Sequence, residues 1–308
     1  MKISEGKVEE FPPKLRPLVD AFRLSPFHVA PERWDELTEL LKQHGVEIYP
    51  KPDAKDWMFE EWRMGKKIFV GTRTLERLWA YCYAYTAITT ELQKAGGVFK
   101  LITNHAEYEI GFHLLKWAKQ ETLADREGEW PDILPDPSYT QLEHVRTANH
   151  IFLMTSGRLL LHEFAHAVRN HSTAADTPSK TKKDEELEAD AWADSWMLSR
   201  WKDFKGDEKV FIGRCMGIAL AHAPSLIFGI DREAESETHP PPIQRILSFI
   251  DGWVPNGKPS DKRLVDLPCA FLLVIAGHLL WEKKKPFEWD PLPDTYRELF
   301  MRFSPHFK

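Results

Sequence analysis

Leu159-Leu160-Leu161-His162-Glu163-Phe164-Ala165-His166-Ala167-Val168 is the stretch from which the rest of the chain can be read. Its apolar residues recur at three and four, the period of a buried helix, and the same pattern runs from 141 to 170. Four residues advance a helix by about 400°, so His162 and His166 leave one face a turn apart, where both rings can reach a single metal ion. Glu163 stands about 100° round from His162, beside the position that such an ion keeps open. A zinc ion there would lower the pKa of water to about 7, and Glu163 would take that water's proton as it attacks a polarised peptide carbonyl.

Chance alone places H-E-x-x-H in about one in twenty chains of this composition, so a third ligand has to be found. Beyond His166 the chain offers Glu185-Glu186-Leu187-Glu188-Ala189-Asp190. Glu186 and Asp190 are four apart; on a helix packed beside the first, Glu186 can ligate while Asp190 supports a ligand histidine from behind. Spacing leaves Glu185 and Glu188 open as competing ligands. On its own the segment would read as a solvated acidic face at a helix start.

A third block is Thr238-His239-Pro240-Pro241-Pro242, with Arg245 following. Consecutive prolines fix the backbone just ahead of a helix, so His239 is held; alone it reads as an exposed loop histidine, and beside a metal such a ring can stabilise an oxyanion or cap the ion. His171 falls one place short of the third ligand of H-E-x-x-H-x-x-G-x-x-H, and Arg169 stands where that motif has glycine, so His171 reads as the helix end. His222 and His278 lie in apolar helices and read as core histidines satisfied by one hydrogen bond.

Working outward, helical periodicity covers 75–93, 108–123, 141–170, 184–201 and 209–222, with further helices expected at 242–253, 269–282 and 294–302. Short aromatic and β-branched runs at 46–49, 57–63 and 67–70 predict a sheet of about three strands, with a hairpin through Met64-Gly65-Lys66. Prolines 12, 13, 17 and 26 argue for an extended leader over 1–30, and 31–44 reads as a helix stopped by Gly45. The expected fold is mainly α (α+β): a small N-terminal antiparallel or mixed sheet at 46–71 and a helical metal-binding body over 74–308. No composition shift marks a linker, so 31–308 reads as a single domain.

The chain has 308 residues, a net charge of −6 and dispersed basic residues, which gives no footprint for nucleic acid or an anionic membrane. Three widely separated cysteines exclude a disulfide framework and a zinc ribbon. Met1–Phe11 carries charge throughout and has no signal-peptide pattern, and the apolar runs 215–230 and 267–281 are broken by Pro224 and Pro268 and fall short of a membrane span. A cytoplasmic location is expected.

The three blocks in this order resemble the gluzincin metallopeptidases, which include the CAAX-processing and heat-shock membrane proteases. Together with Leu24-Ser25-Pro26-Phe27-His28-Val29-Ala30-Pro31-Glu32, Leu114-Leu115-Lys116-Trp117-Ala118-Lys119 and Trp130-Pro131, they resemble more closely the Lit family of phage-exclusion peptidases. The likeness implies zinc on His162, His166 and Glu186, Glu163 as base, Asp190 behind a ligand, and His239 and Arg245 near the open metal position. It also implies a dormant endopeptidase that cleaves translation elongation factor Tu when a phage polypeptide is present. Two other readings remain at this point: a non-catalytic helical binding or sensor module with a structural or degenerate metal site, and an exopeptidase acting on small peptides.

Overall fold

The computed structural model describes residues 8–52, 67–95, 109–123, 130–171, 178–200, 208–229, 236–253, 272, 275–277, 279–280 and 296–307. Its helices are α1 (Arg16–Val29), α2 (Trp34–His44), α3 (Thr72–Ala95), α4 (Glu109–Leu123), α5 (Glu143–Arg169), α6 (Ser179–Leu198), α7 (Glu208–Gly229), α8 (Pro242–Trp253) and α9 (Tyr296–Phe303). The mainly α expectation holds, and the residues described within 269–282 are helical. No helix among the described residues is long and apolar enough to cross a membrane.

Helix α5 is the axis of the body: α1, α3, α6 and α7 all pack on it. Its first two turns expose Glu143, His144, Arg146, Thr147 and His150, but from Ile151 to Ala167 it is buried or half-buried throughout, with Phe152, Thr155, Arg158, Leu161 and Phe164 enclosed. A helix segment enclosed in this way needs no polar face. Two glycines set how closely its neighbours approach. A Cβ on Gly157 would collide with Val29 and come within 2.9 Å of the Ser25 carbonyl, so α1 lies directly against α5 there. A Cβ on Gly217 would come within 2.6 Å of Met154 Cβ, which sets the approach of α7.

The extended leader expected over 1–30 does not hold for its described part: 16–29 form α1. Pro17 occupies the first turn, where its missing N–H costs nothing, and Pro26 is accommodated near the end of the helix. Leu18, Val19, Phe22 and Phe27 are buried along one side, and their burial at about 1.5–3 kcal/mol each outweighs one lost backbone hydrogen bond. Immediately after α1, Glu32 makes a bidentate ion pair with Arg214 of α7, Oε1 to Nη1 at 2.7 Å and Oε2 to Nη2 at 2.8 Å. Arg214 Nη1 also donates to the Met197 carbonyl at 2.6 Å, so one buried guanidinium joins the α1–α2 turn, α6 and α7.

The described strands pair in a sense that a mixed sheet allows and a purely antiparallel one does not. Strands β1 (Glu47–Pro50) and β2 (Lys67–Val70) pair in parallel, Ile48 opposite Ile68 and Pro50 opposite Val70. Residues 51–66 are long enough for the crossover that a parallel pair requires. The strand expected at 57–63 and its hairpin lie outside the described residues. Gly45 ends α2 at φ +63, with its N–H on the Leu41 and Lys42 carbonyls, and turns the chain into β1.

Candidate metal centre

Helices α5 and α6 lie side by side and supply most of the site. On α6 the inner face is Ala189, Asp190, Ala193, Asp194 and Met197, a helical period in which two alanines flank two buried carboxylates. His162 and His166 emerge from α5 with ring centroids 4.8 Å apart and their Nε2 atoms 3.2 Å apart. The Glu186 carboxylate faces both, Oε2 at 3.4 Å from His162 Nε2 and Oε1 at 3.4 Å from His166 Nε2.

These three side chains offer ligand atoms all within 4.8 Å of one another. Of the three acidic residues that spacing left open, the geometry brings Glu186 to the histidines. Glu188 instead lies 3.4 Å from His171 Nε2 and 3.5 Å from Arg169 Nε.

A metal ion fits this group for three reasons visible in the chain itself. The donor set of two imidazoles and a carboxylate is that of catalytic sites that keep a position open. The buried Oε2 of Glu186 has no hydrogen bond among the described residues. Asp190 Oδ1 lies 2.9 Å from His162 Nδ1, a carboxylate in charge contact behind the ring, on the side away from Nε2.

Asp190 is itself clamped from two directions. Arg245, at the start of α8, donates Nε to Oδ2 at 2.6 Å and Nη2 to Oδ1 at 2.7 Å. Arg158, one turn before His162 on α5, donates Nη2 to Oδ1 at 2.6 Å and Nε to Asp194 at 3.2 Å. Burial opposes charge on Asp190, but the two guanidinium groups outweigh it and hold its pKa well below the usual carboxylate range. Behind Arg158, His222 of α7 has its Nε2 3.5 Å from Arg158 Nη2; burial and then Arg158 push that ring's pKa well down, so it stays neutral.

The remaining groups divide sharply. Burial disfavours charge on His162, yet Asp190 and Glu186 outweigh it and raise its pKa to about 9. Burial and the charge on His162 lower His166 to about 3. Glu186 falls to about 2: burial opposes this, but His162, His239 and Arg245 prevail. Glu163 is half-buried, and burial with the neighbouring Glu186 charge lifts it to about 7, against the pull of His162, Arg245 and Arg158. A carboxylate near neutrality, beside the two histidines, suits proton transfer.

His239 lies on the open side, with about half its side chain exposed and Nε2 3.7 Å from Glu186 Oε2. Thr238 Oγ1 is 2.7 Å from its Nδ1; a hydroxyl donating there leaves an Nε2–H directed at the site. All seven residues singled out in the sequence therefore meet in one place. Four more belong to their surroundings: Arg158, Asp194, His222 and His171. Arg158 and Asp194 did have a signal, each four residues from a site residue on the same helix. His222 has the single hydrogen bond expected of a core histidine, but its partner is the arginine under Asp190. His278 lies outside the described residues.

A family model described as Peptidase U49 matches residues 68–259, a span that contains every residue of the centre. No curated protein and no solved structure matches the chain.

Proposed function

The chain belongs to the Peptidase U49 family, and from that premise we propose that it is a zinc-dependent endopeptidase whose ion is held by His162, His166 and Glu186. The observation that carries this reading is the convergence of three ligand atoms within 4.8 Å, with Asp190 behind His162. When bound, a zinc ion supplies a Lewis acid for the scissile carbonyl and acidifies water.

The residues of the chain do the rest. Glu163, with no hydrogen bond or ion pair on its carboxylate among the described residues, accepts the proton of the attacking water and later passes it to the departing amine. His239 presents a donor from the open side to the oxygen that becomes negative. Arg245 acts mainly through Asp190, which keeps His162 aligned. Buried as it is, Arg158 does the same from below.

A peptidase acts on a protein or peptide. The likeness to Lit-type enzymes supports elongation factor Tu as the substrate, a phage-derived polypeptide as the activator and the cytoplasm as the place of action. We take 31–308 as one catalytic unit, to which α1 contributes by packing on α5.

The test is Glu163→Gln in zinc-loaded protein, incubated with elongation factor Tu with and without extract of phage-infected cells. Cleavage should fall by orders of magnitude while zinc content stays at one per chain. Cleavage that survives the substitution would refute Glu163 as the base. A wild type that takes up no metal would instead favour a binding module.

A further inference from the structure

We infer that His171 is a positioning residue for the ligand histidine His166, through a hydrogen-bonded relay from His171 to His166 with the Glu188 carboxylate facing its outer end. The inference rests on the reading of His162, His166 and Glu186 as metal ligands and adds a residue that this reading leaves unused.

The relay begins in the backbone. Asn170 adopts φ +55 at the end of α5, a left-handed conformation that asparagine tolerates better than most residues. The chain doubles back there, and the His171 N–H donates to the His166 carbonyl at 3.0 Å. Its ring consequently meets the His166 ring edge-on, with centroids 4.9 Å apart, interplanar angle 76° and Nδ1 atoms 2.9 Å apart.

Bonding chemistry then fixes the direction. His166 turns its Nε2 toward His162 and Glu186. A neutral imidazole that coordinates through Nε2 carries its hydrogen on Nδ1 and needs an acceptor there. The atom in place is His171 Nδ1. With Nδ1 accepting, His171 bears its own hydrogen on Nε2, which faces Glu188 Oε2 at 3.4 Å without closing a hydrogen bond. His171 is 6% exposed and Glu188 51%, so the relay is dry at its centre and wet at its outer end.

The two ligand histidines are thus supported in different ways. His162 leans on Asp190, a buried carboxylate held by two arginines, whereas His166 leans on a second imidazole. Removing the acceptor would leave the His166 Nδ1–H unpaired in a buried site and its ring free to turn, which weakens the metal rather than the fold.

The experiment uses the full chain and zinc. Competition with a chromogenic chelator gives the zinc affinity of wild type, His171→Phe, His171→Asn and Glu188→Gln, beside thermal unfolding of each. His171→Phe should bind zinc about 10–100-fold more weakly. His171→Asn, whose side-chain carbonyl restores the acceptor, should recover most of that loss. Glu188→Gln, half exposed, should show a smaller loss.

A second measurement needs no variant. In zinc-loaded wild type labelled with 15N-histidine, a scalar coupling across the hydrogen bond should connect His166 Nδ1 with His171 Nδ1. Loaded wild type without that coupling overturns the relay, as does His171→Phe with wild-type affinity or an asparagine variant no better than the phenylalanine one. If His171→Phe does not fold, the coupling decides. Wild type that binds no zinc, or binds it equally well as Glu186→Ala, overturns the metal reading and the relay together; a loaded wild type with an unaffected His171→Phe overturns the relay alone.

Discussion

Arg245 lays its guanidinium along Asp190 as a two-point clamp, Nε on Oδ2 at 2.6 Å and Nη2 on Oδ1 at 2.7 Å. Its reach to Glu186 Oε2 is longer, 3.9 Å. The family resemblance implied an arginine near the open metal position; the geometry spends most of its donors on the carboxylate behind His162. Arg245→Ala should therefore destabilise the fold by about 3 kcal/mol, because a buried carboxylate loses one of its two arginine partners. Arg245→Lys should recover less than half of this, since an ammonium cannot make the paired contact. Urea unfolding of the two variants measures both values.

Arg158 is 1% exposed and touches Asp190, Asp194 and His222. Arg158→Met leaves two buried carboxylates short of a partner and should cost about 3–5 kcal/mol. Burial, with help from Asp190 and against Arg158, already raises Asp194 to about 6, so it is the carboxylate that suffers most. Adding Asp194→Asn to Arg158→Met should return part of the loss, and a double-mutant cycle by urea unfolding reads that coupling. Strict additivity would contradict the shared network.

His239 is the histidine of the centre that stands on its open side. His239→Ala should lower kcat about 100-fold or more, with zinc content unchanged, because it removes a donor for the negative oxygen. Steady-state kinetics beside metal analysis checks this. Loss of zinc in the variant would make His239 a ligand instead.

Metal uptake should depend on pH in a definite direction. The pKa of His162 is about 9, because Asp190 and Glu186 outweigh the effect of burial, whereas His166 and Glu186 have already lost their protons at neutral pH. A ligating ring has to give up its proton, so protons compete with metal below pH 9. The apparent zinc affinity should rise about tenfold per pH unit from 7 to 9 and then level off. Chelator competition at constant ionic strength measures the slope; an affinity flat across that range would contradict the His162 assignment.

What the sequence made legible was whatever repeats with a helix. His162, Glu163 and His166 fall within one turn, and Glu186 and Asp190 within another, so their faces follow from spacing alone. The choice of Glu186 over Glu185 and Glu188 depends on how α6 is rotated against α5, which is tertiary information. The helix at 16–29 is hard to read because Pro17 and Pro26 interrupt a stretch whose Leu15, Leu18 and Phe22 keep the helical period. The parallel sense of β1 and β2 was hidden because a strand's partner is chosen across the intervening chain. Arg158 stands four residues before His162, but only its enclosure by α6 and α7 reveals its partners. His171 looked like a helix end, and it is one, but the left-handed turn at Asn170 brings its ring back to His166.

The most direct measurement is the metal content and metal-ligand environment of the purified chain, by elemental analysis and X-ray absorption, for wild type and Glu186→Ala. One zinc per chain with two imidazoles in its shell, lost or bound at least tenfold more weakly in the variant, is the predicted result. No metal in the wild type, or an identical site after Glu186 is removed, would contradict it.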